Sequence, residues 1–145
     1  MKAKRIVLIG GGVRSGKSSF AVDLAHRLGE RRAFIATARP SDDEMKARID
    51  RHRRDRLEAF TTVEEPLDLE GALRSLEACD VAVVDCLTHW LSNLLVRNDQ
   101  VESILERVDG VVGFGHGCAF LRFLIFGHSA PDLSRSLVRS MLLSC

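Results

Sequence analysis

A chain of 145 residues with 46% apolar and 28% charged side chains has the balance of one globular domain, and it is too short for two independent cores. With 21 Lys+Arg against 20 Asp+Glu the formal net charge is +1, which excludes a polyelectrolyte role such as coating nucleic acid. No apolar run reaches the roughly 18 residues needed to cross a bilayer, so no membrane span is expected.

The basic start, Met1 to Arg5, precedes an apolar stretch too short for a secretory signal, and glycines interrupt it. The expected location is therefore cytoplasmic. The four cysteines, Cys79, Cys86, Cys118 and Cys145, show no CxxC spacing and read as free thiols in that compartment.

Arg5 to Ile9 is a short apolar, β-branched run ended by Gly10-Gly11-Gly12, which predicts a buried strand feeding a tight loop. A helix follows from Lys17, with Phe20, Leu24 and Leu28 at helical spacing and Gly29 as its C-terminal cap. Ala33 to Thr37 is a second strand. Ser41-Asp42-Asp43-Glu44 reads as a capping box opening a basic helix to about Arg56.

Pro66 suits a helix start, and Leu69, Ala72, Leu73 and Leu76 mark the inward face of that helix. Val81 to Asp85 is apolar without alternation, as in a central parallel strand. Two more helices follow, one on Trp90, Leu91, Leu94 and Leu95, the other from Asp99 with Val101, Ile104, Leu105 and Val108. Strands alternating with helices imply an α/β domain with right-handed crossovers.

Residues 11–18, Gly11-Gly12-Val13-Arg14-Ser15-Gly16-Lys17-Ser18, fit G-x-x-x-x-G-K-[ST] at every fixed position, with a strand before and a helix after. Glycines let backbone N–H groups turn inward around a phosphate chain, and the new helix offers its positive end to the same anion. Lys17 is placed to reach the terminal phosphates and Ser18 to ligate Mg²⁺. Asp85, closing its strand, stands where a second Mg²⁺ contact, direct or through water, is expected. Cys86 reads as buried filler rather than a nucleophile, and His116 and His128 are not read as metal ligands.

Lys46 to Arg56 holds six basic residues, commonly the mark of a solvated face. Met45, Ile49 and His52, however, share one side at i, i+4 and i+7, turning His52 inward or into a cleft while Arg51, Arg53 and Arg54 fan out around it. Guanidiniums beside an imidazole attract phosphates and favour the neutral ring. A packed or surface histidine is the alternative. No aromatic platform interleaves these arginines, which argues against nucleic-acid binding.

The phosphate loop, Ile35-Ala36-Thr37-Ala38, Asp42-Asp43-Glu44-Met45-x-x-Arg48-Ile49-x-x-His52, and Val84-Asp85-Cys86-Leu87-Thr88-x-Trp90-Leu91-x-Asn93-Leu94-Leu95 stand in one order over residues 4–108. That series resembles the bifunctional adenosylcobinamide kinase/adenosylcobinamide-phosphate guanylyltransferases of cobalamin biosynthesis. The resemblance implies a P-loop NTPase fold, a mostly parallel sheet flanked by helices. It also implies two reactions: phosphorylation of adenosylcobinamide by a nucleoside triphosphate, then transfer of GMP from GTP to adenosylcobinamide phosphate through a guanylylated histidine.

By motif position that histidine is His52. Nucleotide contacts carry over to Gly11, Gly12, Val13, Arg14, Ser15, Gly16, Lys17 and Ser18, to Ala36, Thr37 and Ala38, to Arg53, Arg54, Asp55 and Arg56, and to Glu64 and Asp85. Glu64 reads equally as a guanine or ribose contact and as an exposed acid beside Glu65. The implied cofactor is Mg²⁺, with GTP and ATP as substrates; which of them feeds the kinase step stays open. Family members assemble into homo-oligomers, and association of this chain is left open.

Family members run longer, continuing with a strand, a Ser/Thr-Asn-Glu-Val-Gly motif and a helix that are not legible here. Residues 110–145 instead hold only four charged side chains, Arg122, Asp132, Arg135 and Arg139, and four of the seven phenylalanines, Phe114, Phe120, Phe123 and Phe126. This reading divides the chain into a nucleotide-binding domain, residues 1–109, and an atypical segment, residues 110–145, expected from a shifted frame or truncated copy and leaving the fold incomplete. Resequencing the encoding DNA tests the frame. Phe120 to Phe126 is either a pairing strand or an exposed adhesive segment.

Overall fold

The computed structural model describes residues 5–12, 15–39, 59–76, 79–97, 99–117 and 121–126. Their elements are β1 (Arg5–Gly10), α1 (Lys17–Leu28), β2 (Arg32–Ala36), β3 (Thr61–Glu64), α2 (Leu69–Ser75), β4 (Val81–Asp85), α3 (Leu87–Val96), α4 (Val101–Gly117) and β5 (Leu121–Phe126). The strands form one sheet in the order β1-β5-β4-β2-β3, and each pairing is parallel. The basic helix expected up to about Arg56, with His52 on it, lies outside the described residues.

Helices cover both faces of the sheet, which is why the central strands lack a period-two pattern. Along β4, Val81 and Val83 face α1 with Ile9, Phe34 and Phe60, while Ala82 and Val84 face the opposite cluster with Ala33 and Ile35. That second cluster takes Leu69 and Leu73 from α2, Trp90, Leu91 and Leu94 from α3, and Ile104, Val108 and Val111 from α4.

The inward face of α1 differs from the spacing of its large residues. Ala21 and Ala25 are fully buried, Leu24 is partly buried, and Phe20 is 57% exposed. Small side chains let the helix backbone approach the sheet closely, so the alanine row wins the contact. Gly29 does cap α1, its N–H donating to the Ala25 carbonyl at 3.3 Å, but in extended rather than left-handed backbone. Leu95 and Leu105 likewise lie on exposed sides of their helices.

The helix after Pro66 begins three residues later, at Leu69. Glu65 takes up the intervening N–H groups, its carboxylate accepting from Leu67 at 2.9 Å and Asp68 at 2.8 Å. Asp68 then caps α2 by accepting from the Gly71 N–H at 3.1 Å. The inward row of Leu69, Ala72, Leu73 and Leu76 holds as expected.

β3 is the strand that sequence patterning does not reveal: Thr61-Thr62-Val63-Glu64 is short and offers one apolar residue. The compositional break at Asp109-Gly110 falls inside α4, and the phenylalanine-rich stretch pairs as β5 between β1 and β4. Of the two alternatives for that stretch, the structure has the pairing strand, over Leu121–Phe126.

Candidate functional site

The register of the sheet aligns the site. Asp85 on β4 pairs with Ala36 on β2, and Ala36 pairs with Glu64 on β3; on the other side Asp85 pairs with Ile125 on β5, itself opposite Ile9 on β1. One row at the carboxyl ends of the five strands therefore runs from Ile9 at the end of β1, where the phosphate loop leaves, to Glu64. Open parallel sheets bind their ligands along this edge.

Local chemistry shapes the loop. Gly16 has φ +81°, the left-handed region that glycine enters without strain. A Cβ on Gly11 would lie 2.8 Å from the Ser15 hydroxyl, so a larger residue there would have to turn aside the hydroxyl that Lys17 bonds. The helical ladder of α1 starts with the Phe20 N–H donating to the Gly16 carbonyl at 2.9 Å. No side chain caps this end and its first turn holds no acid, so the helix N-terminus keeps its affinity for an anion.

Lys17 folds back over the loop, its ammonium donating to the Gly12 carbonyl and to the Ser15 hydroxyl at 3.2 Å. Ser18 donates its hydroxyl to Asp85 Oδ2 at 3.0 Å, joining residues 67 apart in sequence. A hydroxyl and a carboxylate converging at hydrogen-bond distance form the hard-oxygen pair that suits Mg²⁺, which fills its remaining positions with water and phosphate oxygens. The residues present thus fit a magnesium nucleotide. Among the described residues no group of three His, Cys, Asp or Glu comes together as an all-protein metal cage.

Beside this pair, Thr37 is fully buried. Its hydroxyl donates to the Cys86 carbonyl at 2.6 Å and accepts from the Cys86 N–H at 2.8 Å. Its own N–H donates to the Asp85 carbonyl at 3.1 Å. Asn93, on the buried side of α3, donates to the Thr37 carbonyl at 2.8 Å and to the Pro66 carbonyl at 3.0 Å. One turn earlier, the Trp90 indole N–H donates to the Leu67 carbonyl at 2.9 Å. The helix that starts just after Asp85 thus ties down the loops leaving β2 and β3.

Of the residues read from sequence, the structure gathers Gly11, Gly12, Ser15, Gly16, Lys17, Ser18, Ala36, Ala38, Glu64 and Asp85 at one edge of the sheet, Glu64 exposed and directly beside Ala36. Thr37 shares the edge but turns inward. Val13, Arg14, His52, Arg53, Arg54, Asp55 and Arg56 lie outside the described residues. Asn93 is the polar residue that sequence reasoning left without a role. Its signal was present, an amide three residues after Trp90 on the apolar side of a helix.

Residues 7–119 match the profile of the cobinamide kinase / cobinamide phosphate guanyltransferase family. The bifunctional adenosylcobalamin biosynthesis protein CobP of Pseudomonas aeruginosa is 48% identical over 104 residues, 71% of this chain and 57% of that protein. The bifunctional adenosylcobalamin biosynthesis protein CobU of Escherichia coli is 38% identical over 93 residues, 62% of this chain and 50% of that protein. This chain spans about half the length of the curated relatives it matches. Among solved structures, the RadB recombinase superposes with a TM-score of 0.57 at 15% identity, covering 91% of this chain and 66% of the recombinase. That likeness concerns the fold alone, a parallel sheet flanked by helices.

Proposed function

Because the chain belongs to the cobinamide kinase / cobinamide phosphate guanyltransferase family, we propose that it phosphorylates adenosylcobinamide and transfers GMP from GTP to the resulting phosphate, giving adenosylcobinamide-GDP. The observation carrying the nucleotide half of this reading is the Ser18–Asp85 contact at 3.0 Å, which closes the phosphate loop onto the carboxylate strand. Ala36 and Glu64, in register with Asp85, extend the same edge toward a nucleoside.

In the kinase step the hydroxyl of the aminopropanol arm attacks the γ-phosphorus of a nucleoside triphosphate, and the nucleoside diphosphate leaves. Backbone N–H groups from Gly11 to Ser18 hold the phosphate chain, and Lys17 moves from the Gly12 carbonyl onto the terminal phosphates. Ser18 and Asp85 would hold Mg²⁺, which when bound supplies positive charge to the phosphate oxygens.

In the second reaction an imidazole nitrogen of His52 attacks the α-phosphorus of GTP and pyrophosphate leaves. The phosphate of adenosylcobinamide phosphate then attacks the same phosphorus, the N–P bond breaks, and the histidine returns free. Covalent capture divides a demanding displacement into two. Arg53, Arg54 and Arg56 neutralise charge on the transferred group. No helix among the described residues is long and apolar enough to cross a membrane.

Incubation with α-labelled GTP tests the proposal. Wild-type protein takes up acid-labile, base-stable label, and His52→Ala takes up none. Absence of labelled protein alongside phosphoryl transfer to another acceptor identifies a different P-loop small-molecule kinase. Because the chain spans about half the length of its relatives, a second reading is a nucleotide-binding fragment, for which Mg·GTP binding saturates and neither reaction occurs.

A further inference from the structure

Thr37 falls among the residues expected to touch nucleotide, yet its surroundings leave it nothing to offer a ligand. It is fully buried, and every polar atom is engaged within the protein. The N–H bonds to Asp85, the hydroxyl makes two bonds to Cys86, and the carbonyl accepts from Asn93. Three of these four bonds end on the two residues at which β4 leaves the sheet.

We propose that Thr37 is a positioning residue for the magnesium carboxylate, holding the Asp85–Cys86 backbone so that Asp85 faces Ser18, with Asn93 fixing Thr37 in turn. The hydroxyl is matched to this task, since only a group that both donates and accepts can clasp the Cys86 N–H and carbonyl together. Asn93 is matched as well. Both of its partners are carbonyl oxygens, so the NH₂ must face them, and its two hydrogens join the loops after β2 and β3 to α3. Supports of this kind orient a metal-binding carboxylate without touching the ion, and their loss typically lowers metal affinity about 10- to 100-fold.

The inference rests on the magnesium-nucleotide part of the proposed function and is tested apart from activity. GTP affinity is measured by calorimetry with Mg²⁺ present and again in EDTA, for wild type, Thr37→Val, Thr37→Ser and Asn93→Asp. Thr37→Val keeps the shape and loses the hydroxyl; its Mg·GTP affinity should fall about tenfold or more, with affinity in EDTA unchanged. Thr37→Ser restores the magnesium-dependent increment. Asn93→Asp sets carboxylate oxygens against the Thr37 and Pro66 carbonyls and should show the same magnesium-selective loss, which serves if Thr37→Val does not fold.

Equal losses with and without Mg²⁺ would mark Thr37 as a direct nucleotide contact and overturn the inference. So would a lowered melting temperature with Mg·GTP affinity intact, the result for a residue that only packs. Wild-type protein that binds no Mg·GTP overturns the functional reading as well, whereas a binding wild type with an unaffected Thr37→Val overturns this inference alone.

Discussion

Replacing Lys17 by alanine tests the phosphate loop where its balance of contacts can be worked out. Without nucleotide, the ammonium bonds the Gly12 carbonyl and the Ser15 hydroxyl, both at the protein surface. The ammonium is charged in both states, but a phosphate offers it an anionic acceptor where the loop offers neutral ones. Bonds to charged groups span about 1.5–3 kcal/mol, so moving from the weak, exposed end of that range toward a full ion pair favours the bound state by about 1–2 kcal/mol. Lys17→Ala should therefore weaken nucleotide binding about 5- to 30-fold.

The free protein should hardly notice the same change. Water replaces the ammonium at the Gly12 carbonyl and the Ser15 hydroxyl, and alanine suits the first turn of α1, so unfolding free energy should move by less than about 0.5 kcal/mol. Titration of a fluorescent GTP analogue gives the affinity, and a thermal melt without nucleotide gives the stability. Unchanged affinity refutes the assignment of Lys17 to the phosphates. A weakened affinity accompanied by a large drop in melting temperature refutes it too, because the lysine would then be supporting the fold.

Two further tests address what holds the site in place. Trp90→Phe removes the indole N–H that bonds the Leu67 carbonyl and vacates volume at a position only 2% exposed, so it should cost about 2–4 kcal/mol of stability. Trp90 is the single tryptophan, so its emission follows wild-type unfolding while circular dichroism follows the variant; equal stability would show that the bond and the packing contribute nothing. At the opposite edge of the sheet, side-chain and backbone N–H bonds from Arg31 hold the Asp80 carboxyl well below the usual carboxylate range. A folded-state value below the unfolded one of about 3.9 means stabilisation that is complete above it and fades as pH falls toward the folded value. The melting-temperature gap between wild type and Asp80→Asn should hold steady down to about pH 5, then narrow on further acidification, and be small and salt-sensitive because Arg31 is largely exposed; a gap that widens in acid contradicts the assignment.

Much of this architecture could be read along the chain. Val81 to Val84 declares a strand buried on both faces, Gly11 to Ser18 carries a turn that only certain residue types can make, and Trp90, Leu91 and Leu94 mark one side of a helix. Backbone preferences and hydrophobic periods are local properties, so neighbouring residues suffice to express them. β3 is not legible because four residues with one apolar side chain express little period, and in α1 the spacing marks the large residues while the sheet selects the small ones.

The site's working geometry belongs to folding in three dimensions. Nothing local places β5 between the phosphate-loop strand and the carboxylate strand, sets Asp85 in line with Ala36 and Glu64, or brings Ser18 within 3.0 Å of a carboxylate 67 residues away. Strand order and register arise from packing both faces of the sheet at once, a condition met by the whole chain and by no segment of it. The same condition buries Thr37 and bonds it to Cys86 and Asn93, which become its neighbours only when the sheet has formed.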